Sequence, residues 1–119
     1  MDPRPGRIRA LPGSITIKAE GDLRVLCARG ELDSAVVQEF KDRQGREPLV
    51  VDAIDAGGVT FISSTGIAVM LRCVEASRAA GRAAVLRASS PRVDRVLQLS
   101  GMDSAFERPP ADRSQPDPH

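Results

Sequence analysis

Phe61-Ile62-Ser63-Ser64-Thr65-Gly66-Ile67 is the stretch on which the reading of this chain turns, because the hydrophobic period changes inside it. Val59-Thr60-Phe61-Ile62 is an apolar, β-branched run of the kind that forms a strand. Three hydroxyl residues and a glycine follow. Beyond them Ile67, Met70, Leu71 and Val74 recur at i, i+3, i+4 and i+7, with Arg72, Glu75 and Ala79 opposite. A strand therefore ends and an amphipathic helix begins at Ser63-Ser64-Thr65-Gly66. Gly81 stops that helix.

The flanking segments extend the same alternation. Upstream, Leu49-Val50-Val51-Asp52 reads as a short buried strand, linked to Val59–Ile62 through Asp55-Ala56-Gly57-Gly58. Before it, Asp33 or Ser34 caps a helix that places Val36, Val37 and Phe40 on one face and stops at Gly45. Near the start, Ile15, Ile17 and Ala19 share one face of a strand. Leu23, Val25 and Cys27 share the inward face of the next, which ends at Gly30-Glu31-Leu32-Asp33. Glu20-Gly21-Asp22 joins these two strands, and so short a link makes them an antiparallel hairpin. Downstream, Ala83 to Leu86 is a strand, and Ser90-Pro91 opens a helix with Val93, Val96 and Leu97 inward and Gly101 as its stop. Phe106 either ends a last short strand or packs over the core. The order β-β-α-β-α-β-α predicts an α/β fold. It is a mixed sheet, an N-terminal antiparallel hairpin followed by parallel β-α units with right-handed crossovers, covered by helices. The expected domain is 13–107. Residues 1–12 hold three of the nine prolines and are expected to be a flexible segment. Residues 108–119 hold four more and are expected to be a disordered Pro-rich tail.

Composition narrows the function. Seventeen basic residues against sixteen acidic ones leave a net charge of +1, which argues against a whole-domain grip on nucleic acid or an anionic membrane. Aromatics are 3%, with no Trp or Tyr, so base-stacking platforms are not expected. The longest aliphatic stretch, Ile67 to Leu71, is far short of the ~20 residues that span a bilayer. The first residues lack the apolar core of a secretory signal, and two cysteines make no disulfide framework. A cytoplasmic domain is the expectation. The only histidine is His119, and no Cys/His spacing fits zinc and no Gly-rich phosphate loop is present, so neither an enzyme nor a metal or cofactor is expected.

The turn offers two roles to its hydroxyls. The first N–H groups of a helix lack intrahelical partners and the helix dipole favours negative charge there. A hydroxyl at this place caps the helix, worth about 1 kcal/mol, or accepts a phosphoryl group that adds about −1.5 to −2 charge. Ser64 is read as a candidate cap. Gly66 either admits a partner close to the backbone or is small for helix packing. Asp33 is a helix cap or part of a recognition face. Cys27 and Cys73 read as small core residues. Arg72, Arg78, Arg82, Arg87, Arg92 and Arg95, against Glu75 and Asp94, form a solvated face or meet an acidic partner.

Gly30-Glu31-Leu32-Asp33 before a helix, Phe61-Ile62-Ser63-Ser64-Thr65-Gly66-Ile67 at a strand-to-helix turn, and Ser90-Pro91 with Leu99-Ser100-Gly101-Met102 downstream occur in one order. Over residues 13–107 this resembles the STAS domain of the bacterial anti-sigma factor antagonists. The resemblance implies phosphorylation of the residue before the glycine, here Thr65, with Ser64 as runner-up. It implies a partner-binding face of Asp33, Ser63, Ser64, Thr65 and Gly66. The implied partner is an anti-sigma factor with a histidine-kinase-like ATPase fold, which phosphorylates the antagonist and releases it. A Ser/Thr phosphatase reverses the change. STAS-like domains also serve as accessory subunits of lipid transporters, and the anion-friendly turn leaves a nucleotide or small-ligand role open. This sequence departs from the family pattern at Ser63, where the family has Asp. It also departs in about three extra residues around Ala56-Gly57-Gly58, in a shorter first helix, and in a Pro-rich tail where a C-terminal helix is usual.

Overall fold

The computed structural model of the protein describes residues 12–109; the expectations for the terminal segments fall largely outside them. Four strands form one sheet in the order β1-β2-β3-β4: β1 Ser14–Glu20, β2 Leu23–Leu32, β3 Ala53–Ile62 and β4 Val85–Ser89. β1 and β2 are antiparallel, and β2-β3 and β3-β4 are parallel. The α/β class and the mixed sheet are as expected from the sequence. The helices α1 (Ser34–Gln44), α2 (Ser64–Ala79) and α3 (Pro91–Ser100) all send buried residues into one core. Among them are Val37 and Phe40 of α1, Met70 and Val74 of α2, and Val93 and Leu97 of α3. Two successive crossovers between neighbouring parallel strands lay α1 and α2 on the same face of the sheet.

Each helix starts on a side-chain cap. Asp33, Ser63 and Ser90 accept from the N–H of Val36, Gly66 and Val93 respectively. Gly101 ends α3 at φ 76°, the left-handed conformation that glycine adopts without a Cβ penalty.

Three strand boundaries differ from the sequence reading. Leu49–Asp52 is an extended lead-in rather than a strand, since the Val51 N–H goes to the buried Ser77 hydroxyl (2.9 Å) instead of to a neighbouring strand. The strand it leads into is continuous through Gly57-Gly58. β3 absorbs its extra length as register shifts: Cys27 pairs with Asp55 but Arg29 with Gly58, and Gly30 pairs with Val59 but Glu31 with Phe61. Two extra residues are thereby held in bulges. The core-facing positions become Ile54, Ala56, Val59 and Ile62, so the strict alternation expected of a strand is broken twice. β4 is displaced toward the C-terminus of the expected Ala83–Leu86 run. Phe106 packs into the core, and the Glu107 carbonyl accepts from the Leu86 N–H at 2.7 Å.

β2 is buried on both sides. Leu26 and Ala28 face the helices, while Val25 and Cys27 join Ala53 in a small second cluster on the opposite face. Cys27 is thus a core residue, but not on the helix side, and Leu23, expected to face inward, is exposed. Arg87 of β4 crosses this second face to Glu20 of β1 with two hydrogen bonds of 3.0 and 2.9 Å. The strand order places β2 and β3 beneath that link, so the pair straps the small cluster from one sheet edge to the other. Hydrogen bonding from Arg87 holds the Glu20 carboxyl below the ordinary glutamate value.

Candidate functional site

β2 and β3 end side by side, with Leu32 paired to Ile62. The next residue on each chain, Asp33 and Ser63, is a helix cap. One end of the sheet therefore carries two helix starts next to each other, and the four turn residues from 63 to 66 sit at the second.

Ser63, and not Ser64, is the cap of α2. Its hydroxyl donates to the Leu32 carbonyl (2.9 Å), accepts from the Gly66 N–H (3.2 Å), and lies 2.8 Å from the Thr65 hydroxyl. A serine hydroxyl has one proton and two acceptor sites. With the proton committed to Leu32, the Thr65 hydroxyl is the donor in the Ser63–Thr65 bond. Thr65 is half-buried, and Ser64 beside it is exposed. The N–H groups of Ser64 and Thr65 precede the first intrahelical bond, and among the described residues no side chain bonds them.

Gly66 is buried, and its small size serves packing. A Cβ there would stand 2.9 Å from Ile62 Cγ1 and 3.5 Å from Leu32 Cβ. Asp33 is exposed and its side chain caps α1 through the Val36 N–H at 3.0 Å. The structure thus brings together Asp33, Ser63, Ser64, Thr65 and Gly66, with Gly66 on the inner side and Ser64 and Asp33 on the outer.

Phe61 escaped the sequence reading. It is 44% exposed, unusual for so large an apolar side chain, and it adjoins the turn. Strict alternation from Val59 would turn Phe61 inward; the bulge at Thr60 puts Ile62 in the core instead and Phe61 on the opposite face. Glu31 pairs with Phe61 across the strands, and both alternate with the core residues Leu32 and Ile62, which places them on the face of the sheet turned away from the helices.

Other candidate features take structural roles. Burial pushes the Cys73 thiol up to about 12, so it stays protonated. Of the six arginines between 72 and 95, Arg82 pairs with Asp52 at 2.8 Å and Arg87 with Glu20 at 2.9 Å. Arg108 ties the C-terminal segment to Ser89, Asp94 and Asp103. Among the described residues no group of three or more His, Cys, Asp or Glu side chains is arranged to hold a metal. None of the described helices is long and apolar enough to cross a membrane.

A family model described as "Mlab, STAS domain" matches residues 15–107. This chain belongs to the STAS domain family. No curated protein matches it in sequence. Among solved structures, the unphosphorylated form of the anti-sigma factor antagonist SpoIIAA superposes with a TM-score of 0.60 at 21% identity, covering 84% of this chain and 91% of that one. At that identity the likeness speaks for the shared fold.

Proposed function

We propose that this STAS domain is a regulatory binding module of the anti-sigma factor antagonist type, and not itself an enzyme. It docks on an anti-sigma factor with a histidine-kinase-like ATPase fold, using the end of the sheet that carries Asp33, Phe61, Ser64 and Thr65. Phosphorylation of Thr65 switches docking off, and a Ser/Thr phosphatase restores it. The observation that supports this most is the setting of Thr65: a half-buried hydroxyl at the start of α2, held by Ser63 and beside two N–H groups that no side chain among the described residues bonds. A helix start accommodates a phosphate without unfolding. The charge then falls on the partner, because a dianion inside a binding face has to be desolvated and repels any facing carboxylate. A penalty of about 3 kcal/mol weakens binding more than a hundredfold.

The fold accommodates the serine at position 63. Ser63 holds the Thr65 hydroxyl by a neutral hydrogen bond, and Asp33, the cap of α1, is the carboxylate at the neighbouring helix start. Affinity capture of the full chain from its native cell, with intact-mass measurement, tests the reading. Recovery of an ATPase-fold regulator and a form heavier by one phosphate supports it; a transporter ATPase with no modified form would replace it with the accessory-subunit reading. With the purified partner, Thr65→Glu should lower affinity at least about a hundredfold by the same arithmetic, and Thr65→Ala should bind without regulation. Equal affinity of the Glu variant and the wild type would refute the switch.

A further inference from the structure

A second surface lies along the other half of α2. The C-terminal end of α1, the loop from Gly45 to Leu49 and the middle of α2 enclose a groove of about 280 Å³. Its floor is apolar, made by Phe40, Leu49 and Val69. Its rim carries Lys41, Arg46 and Arg72 against one carboxylate, Glu47. Among the described residues none of these three cations forms a salt bridge with a carboxylate, whereas Arg82, Arg87 and Arg108 all do. None of the turn residues 63–66 lines the groove.

We propose that this groove docks a short acidic amphipathic segment of a partner protein, with apolar side chains over Phe40, Leu49 and Val69 and carboxylates toward Lys41, Arg46 and Arg72. Charge complementarity favours such an occupant. Lys41, Arg46 and Arg72, without a carboxylate partner among the described residues, give the rim an excess of positive charge that an incoming anionic segment would offset. The α2 residues that line the groove, Val69, Arg72 and Ala76, recur at i, i+3 and i+7, a stripe of the kind against which a helical ligand lays its own apolar face. The chain's own N-terminal residues are a poor occupant, since positions 1–11 carry Arg4, Arg7 and Arg9 against Asp2.

The test is a titration of the isotopically labelled full chain, followed by amide chemical shifts, with a capped amphipathic Glu/Leu peptide as probe. Its Gln/Leu counterpart and decanoate are titrated in parallel. The expected result is a set of shifts confined to residues 40–49 and 69–76. Affinity should fall at least about tenfold in the Arg46→Glu, Arg72→Glu double variant and should also weaken as salt is raised. Thermal melting of the double variant checks that it folds. No shifts at millimolar peptide, equal binding of the Gln/Leu peptide, or unaltered binding by the double variant would overturn the proposal. So would decanoate moving the groove signals while the acidic peptide does not, which would assign the groove to small amphiphiles. The proposal stands apart from the switch at Thr65: amides 63–66 report in the same spectra, and each can fail while the other holds.

Discussion

Ser63→Ala is the most direct probe of the turn, because one oxygen there serves three partners. Losing a serine cap costs about 1 kcal/mol, within a range of roughly 0.5–2. The Leu32 carbonyl is not orphaned, since the Ser63 N–H still bonds it at 3.0 Å. The Thr65 hydroxyl, half-exposed, turns to water at little penalty. The sum is about 1–1.5 kcal/mol, which in a domain of this size lowers Tm by roughly 5–10 °C. Urea denaturation followed by circular dichroism measures it, with the slope unchanged and the midpoint shifted. A loss below about 0.3 kcal/mol would show that the Ser63 hydroxyl does not fasten the start of α2. Ser63→Asp sharpens the test. The carboxylate retains the cap and gains about 0.3–1 kcal/mol from the helix dipole, but it has no proton to give Leu32 and sets an anionic oxygen against that carbonyl. The expected stability is no higher than wild type; a clear gain would refute the bond to Leu32.

Gly30→Ala should destabilise by at least about 2 kcal/mol in the same assay, because Gly30 has φ 71° and a Cβ there would collide with the Pro12 carbonyl. Gly66→Ala gains helix propensity of about 1 kcal/mol but forces the stiff Ile62 side chain to move. We expect a net loss of about 1 kcal/mol, and a stabilised variant would contradict the packing described. The Arg24 N–H, then Arg82, hold the Asp52 carboxyl below its ordinary 3.8, and Arg87 does the same for Glu20 below 4.5. Both carboxylates therefore contribute stability above these ordinary values and lose it as pH falls through their folded-state values. Tm should drop below about pH 4, and Asp52→Asn should flatten the drop; an unchanged acid profile in that variant would count against the pairing.

The helices were legible in the sequence because each has a capping residue, a period and a stop, as in Ser90-Pro91 with Val93, Leu97 and Gly101. The strands were less so. Leu49–Asp52 has the composition of a strand, and Asp52 bonds Arg24 of β2 and Val85 of β4, but the Val51 N–H goes to Ser77, a residue 26 positions away. Cys27 and Val25 followed the expected alternation, yet the helices cover the other face, and only the crossovers decide which face that is. At the turn, the residue types announced a capped helix start, but the choice of Ser63 over Ser64 depends on where the Leu32 carbonyl lies. Phe61 went unnoticed because two bulges obscure the inside-outside pattern that would have exposed it.

Those bulges in β3 carry a constraint on how the chain can change in length. Each bulge holds one residue without a partner of its own on β2, so deleting Thr60, or Gly57, would close that bulge and leave Phe61 outward and Ile62 in the core. A deletion elsewhere in the strand, with both bulges kept, would instead slip the register by one and turn every side chain beyond it to the other face. Natural or engineered variants of this segment should therefore tolerate loss of a single residue at either bulge and not between them.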